Sequence, residues 1–333
     1  MKKIGIIHLN QIGDLVFSLP VLKALRDNFP GAEIDSIIRP HLAELMDGSR
    51  LADNLILRRD GLANKIRLIN TVRQNRYDLL ISLARSQEAL ILTCLSRAGI
   101  KAGFAHPPWD MGLDVREVVE GHNCWYNNAK LLHRLKVPVN KDDYVGLLKN
   151  NDSYYVPEIP GRYVVISPGA SKRRQIKAWD EDKFAGLITW LESEYSLVPV
   201  LVGGKDCIEY NELIINCIDD KDMAIVNMTG KIGLKNLVSL LREASLFVGI
   251  DSGVMHMASS LDIPVVGLFG PTDPFYVGPQ NERSIVVKSD MDCMPCYLRP
   301  SCNNIECMRN LGIEEVKQAC RKVMCQTESG YDL

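Results

Sequence analysis

Gly249-Ile-Asp-Ser-Gly-Val-Met-His-Met-Ala-Ser-Ser-Leu261 is the stretch on which the reading of this chain turns. Just upstream, Ser245-Leu-Phe-Val-Gly-Ile250 has the length and apolar continuity of a buried strand. Downstream, residues 254–261 read as a helix, with Asp251 or Ser252 placed as its N-cap. A second buried strand, residues 263–269, leads into the polar loop Gly270-Pro-Thr-Asp-Pro274. Strand, capped helix and strand make a βαβ unit, and a helix N-terminus at the carboxyl end of a strand is an anion site. Capped helices are commoner than phosphate sites. Here, however, Asp251, Ser252 and His256 crowd polar groups onto the mouth of an otherwise apolar unit.

The same alternation extends upstream. Strands are expected at 163–167, 198–202 and 224–226, with helices at 182–195, 208–218 and 234–244 between them. The first half repeats the scheme with strands at 3–9, 32–38, 51–57 and 77–83. Its helices are an amphipathic 15–28 containing Pro20, a short 41–46, then 65–75, 87–98 and 122–135. Residues 105–121 carry only a weak pattern, and the polar, proline-spaced stretch 137–160 reads as a linker. Two α/β domains follow, residues 1–158 and 159–333, each a doubly wound parallel sheet, with a ligand cleft between them.

Composition agrees with such a fold and narrows the function. The 333 residues are 46% hydrophobic and 24% charged, as in a globular protein. A formal net charge of -2 argues against a general nucleic-acid binder. No apolar run approaches the roughly 20 residues that span a bilayer. The opening Met1-Lys-Lys-Ile-Gly-Ile-Ile-His8 starts like a signal peptide, but His8, Asn10, Gln11 and Asp14 interrupt it too early. It reads instead as a first strand, which points to a cytoplasmic protein. Ten cysteines in 333 residues are too dispersed for a disulfide scaffold.

The loops that follow the strands hold the candidate chemistry. The turn Asn10-Gln-Ile-Gly-Asp14 lacks the G-x-G-x-x-G of a dinucleotide fold, and the chain has no P-loop. It presents Asp14 instead, either as a first-turn carboxylate, worth about 0.5–2 kcal/mol as a cap, or as a general base. Pro168-Gly-Ala-Ser-Lys-Arg-Arg-Gln-Ile-Lys-Ala-Trp179 sets small residues before four cations, a pattern able to bind a diphosphate. Within it Lys172, Arg173 and Arg174 read singly as solvated charges. Lys177 stands apart, because Trp179 beside it would hold its stem in place. Val202-Gly-Gly-Lys-Asp206 is a second close turn. The quartet Cys293-x2-Cys296-x5-Cys302-x4-Cys307 suits zinc or an iron–sulfur cluster, but reduced thiols or a local disulfide compete, and a metal is not favoured.

Taken as a set, these motifs resemble glycosyltransferase family 9, the ADP-heptose:lipopolysaccharide heptosyltransferases. The resemblance rests on Gly13-Asp14 with Leu19-Pro20, Ser167-Pro-Gly-Ala-Ser171 with Lys177-Ala-Trp179, Asp251-Ser-Gly-Val-Met-His256, Phe269-Gly-Pro-Thr-Asp273 and the terminal cysteine run. It implies a GT-B fold, two Rossmann-like domains facing across a cleft: an N-terminal acceptor domain and a C-terminal nucleotide-sugar domain. It implies an inverting, metal-independent displacement without a cofactor, with ADP-heptose as donor and lipid A–core as acceptor. Asp14 and Lys177 would be catalytic, Asp14 as base and Lys177 on the leaving diphosphate. Ser167, Ala170, Ser171, Asp251, Ser252, Gly253 and His256 would complete the donor site. Arg58, Arg59 and Lys65, part of a basic stretch that continues to Arg67, Arg73 and Arg76, would meet the acceptor. The family's setting implies a cytoplasmic enzyme in peripheral contact with the inner face of the membrane. A sugar-nucleotide 2-epimerase of similar architecture is the alternative enzyme. A metal-binding interaction protein centred on the cysteine quartet is the alternative of another class.

Overall fold

The computed structural model describes residues 1–47, 49–122, 124–148, 158–169, 177–297, 302 and 304–328. The chain divides into two compact units, Met1–Asn151 and Asp152–Leu333. In the first, the apolar runs become strands β1 (Lys3–Ile7), β2 (Glu33–Ile38), β3 (Asn54–Leu57), β4 (Leu79–Ser82), β5 (Ile100–Phe104) and β6 (Val115–Glu117). The helices between them are α1 (Ile12–Asn28), α2 (Leu62–Asn75), α3 (Gln87–Leu95) and α4 (Trp125–Arg134), with a 3-10 turn at Pro40–Leu45. The strands are parallel, in the order β3-β2-β1-β4-β5-β6. Chain order therefore reverses between β1 and β4, the switch point where doubly wound sheets open a crevice at their carboxyl ends.

The second unit repeats the plan. Its strands are β7 (Tyr163–Ser167), β8 (Val198–Leu201), β9 (Val226–Asn227), β10 (Leu246–Ile250), β11 (Val265–Phe269) and β12 (Ser284–Lys288). Its helices are α5 (Glu181–Tyr195), α6 (Ile208–Asn216), α7 (Leu234–Arg242), α8 (Gly253–Ser260), α9 (Pro274–Val277), α10 (Glu306–Arg309) and α11 (Ile313–Glu328). The order β12-β11-β10-β7-β8-β9 is the first unit's order again, so β7 and β10 flank the switch point. Every residue of β7, β10 and β11 is buried, which is why these segments read as unbroken apolar runs. Gly249 of β10 pairs with Ser167 on one side and Gly267 on the other. A Cβ there would stand 2.6 Å from the Ser167 carbonyl oxygen, so glycine sets the approach of β10 to β7.

Three expectations need correcting. Helix α1 starts at Ile12 rather than residue 15, and it is not amphipathic: residues Leu15 to Leu22 are all buried. Pro20 fits within it at the loss of one donor to the Val16 carbonyl. The proline-spaced stretch 137–160 is in large part first-unit structure and not a linker. Val137, Tyr144 and Leu148 are buried, a 3-10 turn covers Lys141–Tyr144, and Tyr144 stacks near Phe17 of α1 with ring centroids 5.8 Å apart. Strands β5, β6 and β12 and helix α11 went unforeseen. β5 and β6 mix polar and apolar residues, and β6 is only three residues long.

Candidate active site in the second unit

The site builds up at the carboxyl ends of β7 and β10. Asp251 is the first residue beyond β10, and its N–H donates to the Leu268 carbonyl of the neighbouring β11 at 3.2 Å. Its carboxylate turns inward and is almost completely buried. The ammonium of Lys177, equally buried, forms an ion pair with Asp251 Oδ2 and lies 3.4 Å from the Asp251 carbonyl oxygen. The Thr272 hydroxyl donates to the same Oδ2 at 2.8 Å. His256 Nε2, one turn into α8, is 3.7 Å from Oδ1. Burial by itself would raise the Asp251 carboxyl. The His256 contact and the charge and hydrogen bond of Lys177 outweigh it and hold Asp251 well below the usual carboxylate range.

This corrects the capping expectation. Ser252 occupies the N-cap position of α8, but no side chain caps the helix, because Asp251 is engaged by Lys177 and Thr272. Ser252 Oγ is buried and, among the described residues, has no hydrogen-bond partner. The first N–H groups of a helix have no partner inside it. Ser252 Oγ and the backbone from Gly253 onward thus present polar groups directly after Asp251, the residue that holds the Lys177 ammonium, and a phosphate is the group that would satisfy them.

Lys177 is held by tertiary contacts that spacing alone does not reveal. Trp179 is buried among the core side chains of the second unit, edge-on to Phe184 with ring centroids 5.0 Å apart. Its Nε1 donates to the Leu311 carbonyl at 2.9 Å, and its own carbonyl accepts from the Tyr210 hydroxyl. Segment 177–179 is thereby tied to α6 and to the start of α11. Ser167 ends β7 and is buried there. Ala170 and Ser171, and with them Lys172, Arg173 and Arg174, lie outside the described residues. Gly169 and Gly203 close over Cys207, whose side chain would meet a Cβ at either position at 2.8 and 2.9 Å.

The cysteine segment lies against the Thr272 loop. The N–H groups of Cys296 and Tyr297 donate to the Pro271 carbonyl at 3.1 and 2.7 Å, and Ser289 Oγ donates to the Cys307 carbonyl at 2.7 Å. Burial, with the nearby Cys296, Cys302 and Cys293, pushes the Cys307 thiol up to about 11. All four are free thiols, and among the described residues no group of three or more His, Cys, Asp or Glu is set to hold a metal. The segment's visible role is to pin the loop carrying Thr272, a partner of Asp251 that its place in the polar loop after β11 alone could have suggested.

In the first unit, Asp14 is the third residue of α1, half-buried in its first turn. Of the basic trio, Arg58 and Lys65 both come near Asp60 and Glu88. Arg58 is buried and its Nη1 donates to the His8 carbonyl at 2.7 Å, Arg59 is exposed, and Lys65 pairs with Glu88 at 3.3 Å. His8 lies just beyond β1. Ser18 Oγ donates to the Leu15 carbonyl at 2.6 Å and so accepts from His8 Nδ1 at 2.7 Å. His8 Nε2 is left buried with no partner among the described residues. Burial, then the Arg58 charge, pushes the His8 pKa down to about 3, so the ring is neutral.

The chain has relatives among known proteins. A lipopolysaccharide heptosyltransferase 3 from Escherichia coli (strain K12) is 28% identical over 299 residues, covering 82% of this chain and 84% of that protein. A glycosyltransferase of family 9 from Veillonella parvula superposes with a TM-score of 0.77 at 20% identity, over 98% of this chain and 97% of that one. E. coli ADP-heptose lipopolysaccharide heptosyltransferase II does so with a TM-score of 0.77 at 18% identity, over 98% and 100% of the two chains. These likenesses identify the fold as GT-B. Among the described residues no helix is long and apolar enough to cross a membrane. The model of glycosyltransferase family 9 (heptosyltransferase) matches residues 65–305, and the chain is a glycosyltransferase belonging to that family.

Proposed function

We propose that the protein transfers a heptose from ADP-heptose to the lipopolysaccharide inner core, with inversion at the anomeric carbon. The observation that carries the donor half is the bonding of Lys177. An ammonium has three N–H groups. Two face Asp251, at its carboxylate and its carbonyl, and the third, with no partner among the described residues, serves an oxygen of the leaving diphosphate. Ser252 Oγ and the N–H groups at the start of α8 take further phosphate oxygens. Fixed donors of this kind act where negative charge develops as the bond breaks. Asp251 orients Lys177, and its Oδ1, facing His256, keeps acceptor capacity for a sugar hydroxyl.

In the first unit Asp14 is the base. It takes the proton of the acceptor hydroxyl as that oxygen bonds to the anomeric carbon, and the bond to phosphate breaks with its electron pair leaving on ADP. Residues 1–158 serve the acceptor and residues 159–333 the donor, working in the cytoplasm on a membrane-held acceptor. The reading needs no metal or cofactor.

The test is transfer by purified protein from ADP-heptose, with UDP- and GDP-sugars as controls, to heptose-truncated lipopolysaccharide. An acceptor heavier by one heptose, with ADP released, is the expected result. Conversion of a nucleotide sugar to its epimer without acceptor would favour the 2-epimerase instead.

A further inference from the structure

Helices α2 and α3 lie side by side and parallel. Lys65 and Glu88 join their first turns at 3.3 Å, and Arg73 Nη1 donates to the Leu95 carbonyl at 3.0 Å near their last. On α2, Leu68 and Val72 are the buried side. Leu62, Ile66, Asn70 and Arg73 fall within about 80° of arc on the opposite side. Leu62 is 75% exposed and Ile66 52%, and on α3 Ile91 and Leu95 are 38% and 43% exposed. The loop after β5 extends the apolar area. Cys94 Sγ of α3 donates to the Trp109 carbonyl at 3.6 Å, Gly112 is in close approach to Cys94, and Met111 is 79% exposed.

Charge on this face is one-sided. Arg58 aside, which is buried and bonded to the His8 carbonyl, residues 59–76 hold five basic side chains against the single Asp60, in a chain whose net charge is -2. The two nearby carboxylates are already paired, Asp60 with Arg39 at 2.6 Å and Glu88 with Lys65. Arg73, Arg76 and Arg97, with Asn70 and Gln74, line a pocket of about 340 Å³ where the two helices end. None of these three arginines has a carboxylate partner among the described residues.

We infer that the outer face of α2 and α3 is a docking surface for an anionic phospholipid bilayer, with Leu62, Ile66, Ile91 and Leu95 entering the acyl boundary and Arg73, Arg76 and Arg97 binding headgroup phosphates. A soluble anion would use the arginines and leave the aligned apolar side chains without purpose. A protein partner would not require three uncompensated guanidinium groups together. Apolar side chains beside clustered cations match an anionic membrane surface on both counts. The inference deepens the reading above, whose acceptor is held in a membrane, but binding can be measured without catalysis.

The experiment is co-sedimentation of the full chain with phosphatidylglycerol-containing vesicles and with pure phosphatidylcholine vesicles, at low and high salt. Binding is expected to the anionic vesicles and to weaken with salt. Each cation near such a surface contributes about fivefold in partition. Arg73→Gln with Arg97→Gln should therefore lower binding about 25-fold, and Leu62→Ser with Ile66→Ser should lower it on their own. The Leu62→Ser, Ile66→Ser variant, at exposed positions, should keep the wild-type melting temperature and transfer rate on a soluble truncated acceptor. Wild-type partition unchanged by these substitutions, or equal on neutral vesicles, overturns the inference. So does light scattering that shows a dimer dissociated by Leu62→Ser with Ile66→Ser, which would make the face a contact between copies of the chain. Loss of transfer alone, with vesicle binding intact, would count against the proposed function and not against this surface.

Discussion

Replacing Asp251 with asparagine leaves the side-chain size almost unchanged and removes the counter-charge of a buried ammonium. An N-cap could tolerate that exchange, since asparagine caps as well as aspartate. The geometry predicts otherwise. The Lys177 and Asp251 side chains are only 7% and 8% exposed, so water cannot take over the lost interaction. With Thr272 still donating to the oxygen at the Oδ2 place, the ammonium keeps only a neutral carbonyl acceptor there, and the new amide N–H groups take the Oδ1 place facing His256. Breaking a buried pair by removing one partner costs about 3–5 kcal/mol. For a unit of this size that corresponds to a fall of about 6–20 °C in melting temperature. Lys177→Met should cost a similar amount, leaving the carboxylate buried alone. The double variant should be less destabilised than the two singles summed, because neither charge is then stranded. Calorimetric unfolding of the four proteins, with ADP titrations, supplies the cycle. Asp251 titrates below its ordinary 3.8 in the folded protein. Its contribution is therefore complete above that pH and lost as the pH falls through the lower folded value. The gap between wild type and Asp251→Asn should be constant at neutral pH and close in strong acid. A melting temperature for Asp251→Asn within a degree or two of wild type, or additive singles, would refute the coupling.

Asp14→Asn preserves size and position in α1 but removes the proton acceptor, so transfer should fall by about 10²–10⁴ while calorimetry shows ADP affinity retained; turnover within a fewfold of wild type would reduce Asp14 to a first-turn carboxylate. His8 is neutral in the fold, with its pKa near 3 against 6.5 unfolded, so its burial favours the fold fully above pH 6.5 and progressively less as the pH drops toward 3. Urea midpoints at pH 7 and pH 5 should accordingly differ less in His8→Gln than in wild type, and an equal difference would disprove the assignment. Gly249→Ala would drive a methyl to 2.6 Å from the Ser167 carbonyl oxygen, a backbone atom that cannot swing aside. A loss of about 1–3 kcal/mol in chemical denaturation is expected, together with weaker ADP binding as β7 and β10 separate.

Much of the fold was legible because doubly wound sheets bury their central strands on both faces. The runs at 163–167, 245–250 and 263–269 therefore had to be apolar throughout, and polar residues could gather only at their carboxyl ends. That pattern alone placed Asp251, Ser252, His256, Lys177 and Asp14 in loops or first turns after strands. Local sequence could not say which side chains meet. Asp251 has the identity and place of a cap, and only the fold reveals that Lys177, 74 residues earlier, and Thr272, 21 residues later, claim its carboxylate. His8 offered no motif, because its neutrality comes from burial and from Arg58, which β3 delivers from 50 residues away. The apolar tally of 137–160 was likewise too low to distinguish linker from packed turn until Tyr144 met Phe17. Periodicity and local chemistry are properties of neighbours along the chain, so the sequence by itself determined the two α/β units and the rim of each site. Partner choice among buried polar groups depends on desolvation and distance across strands, and that was settled only by the tertiary structure.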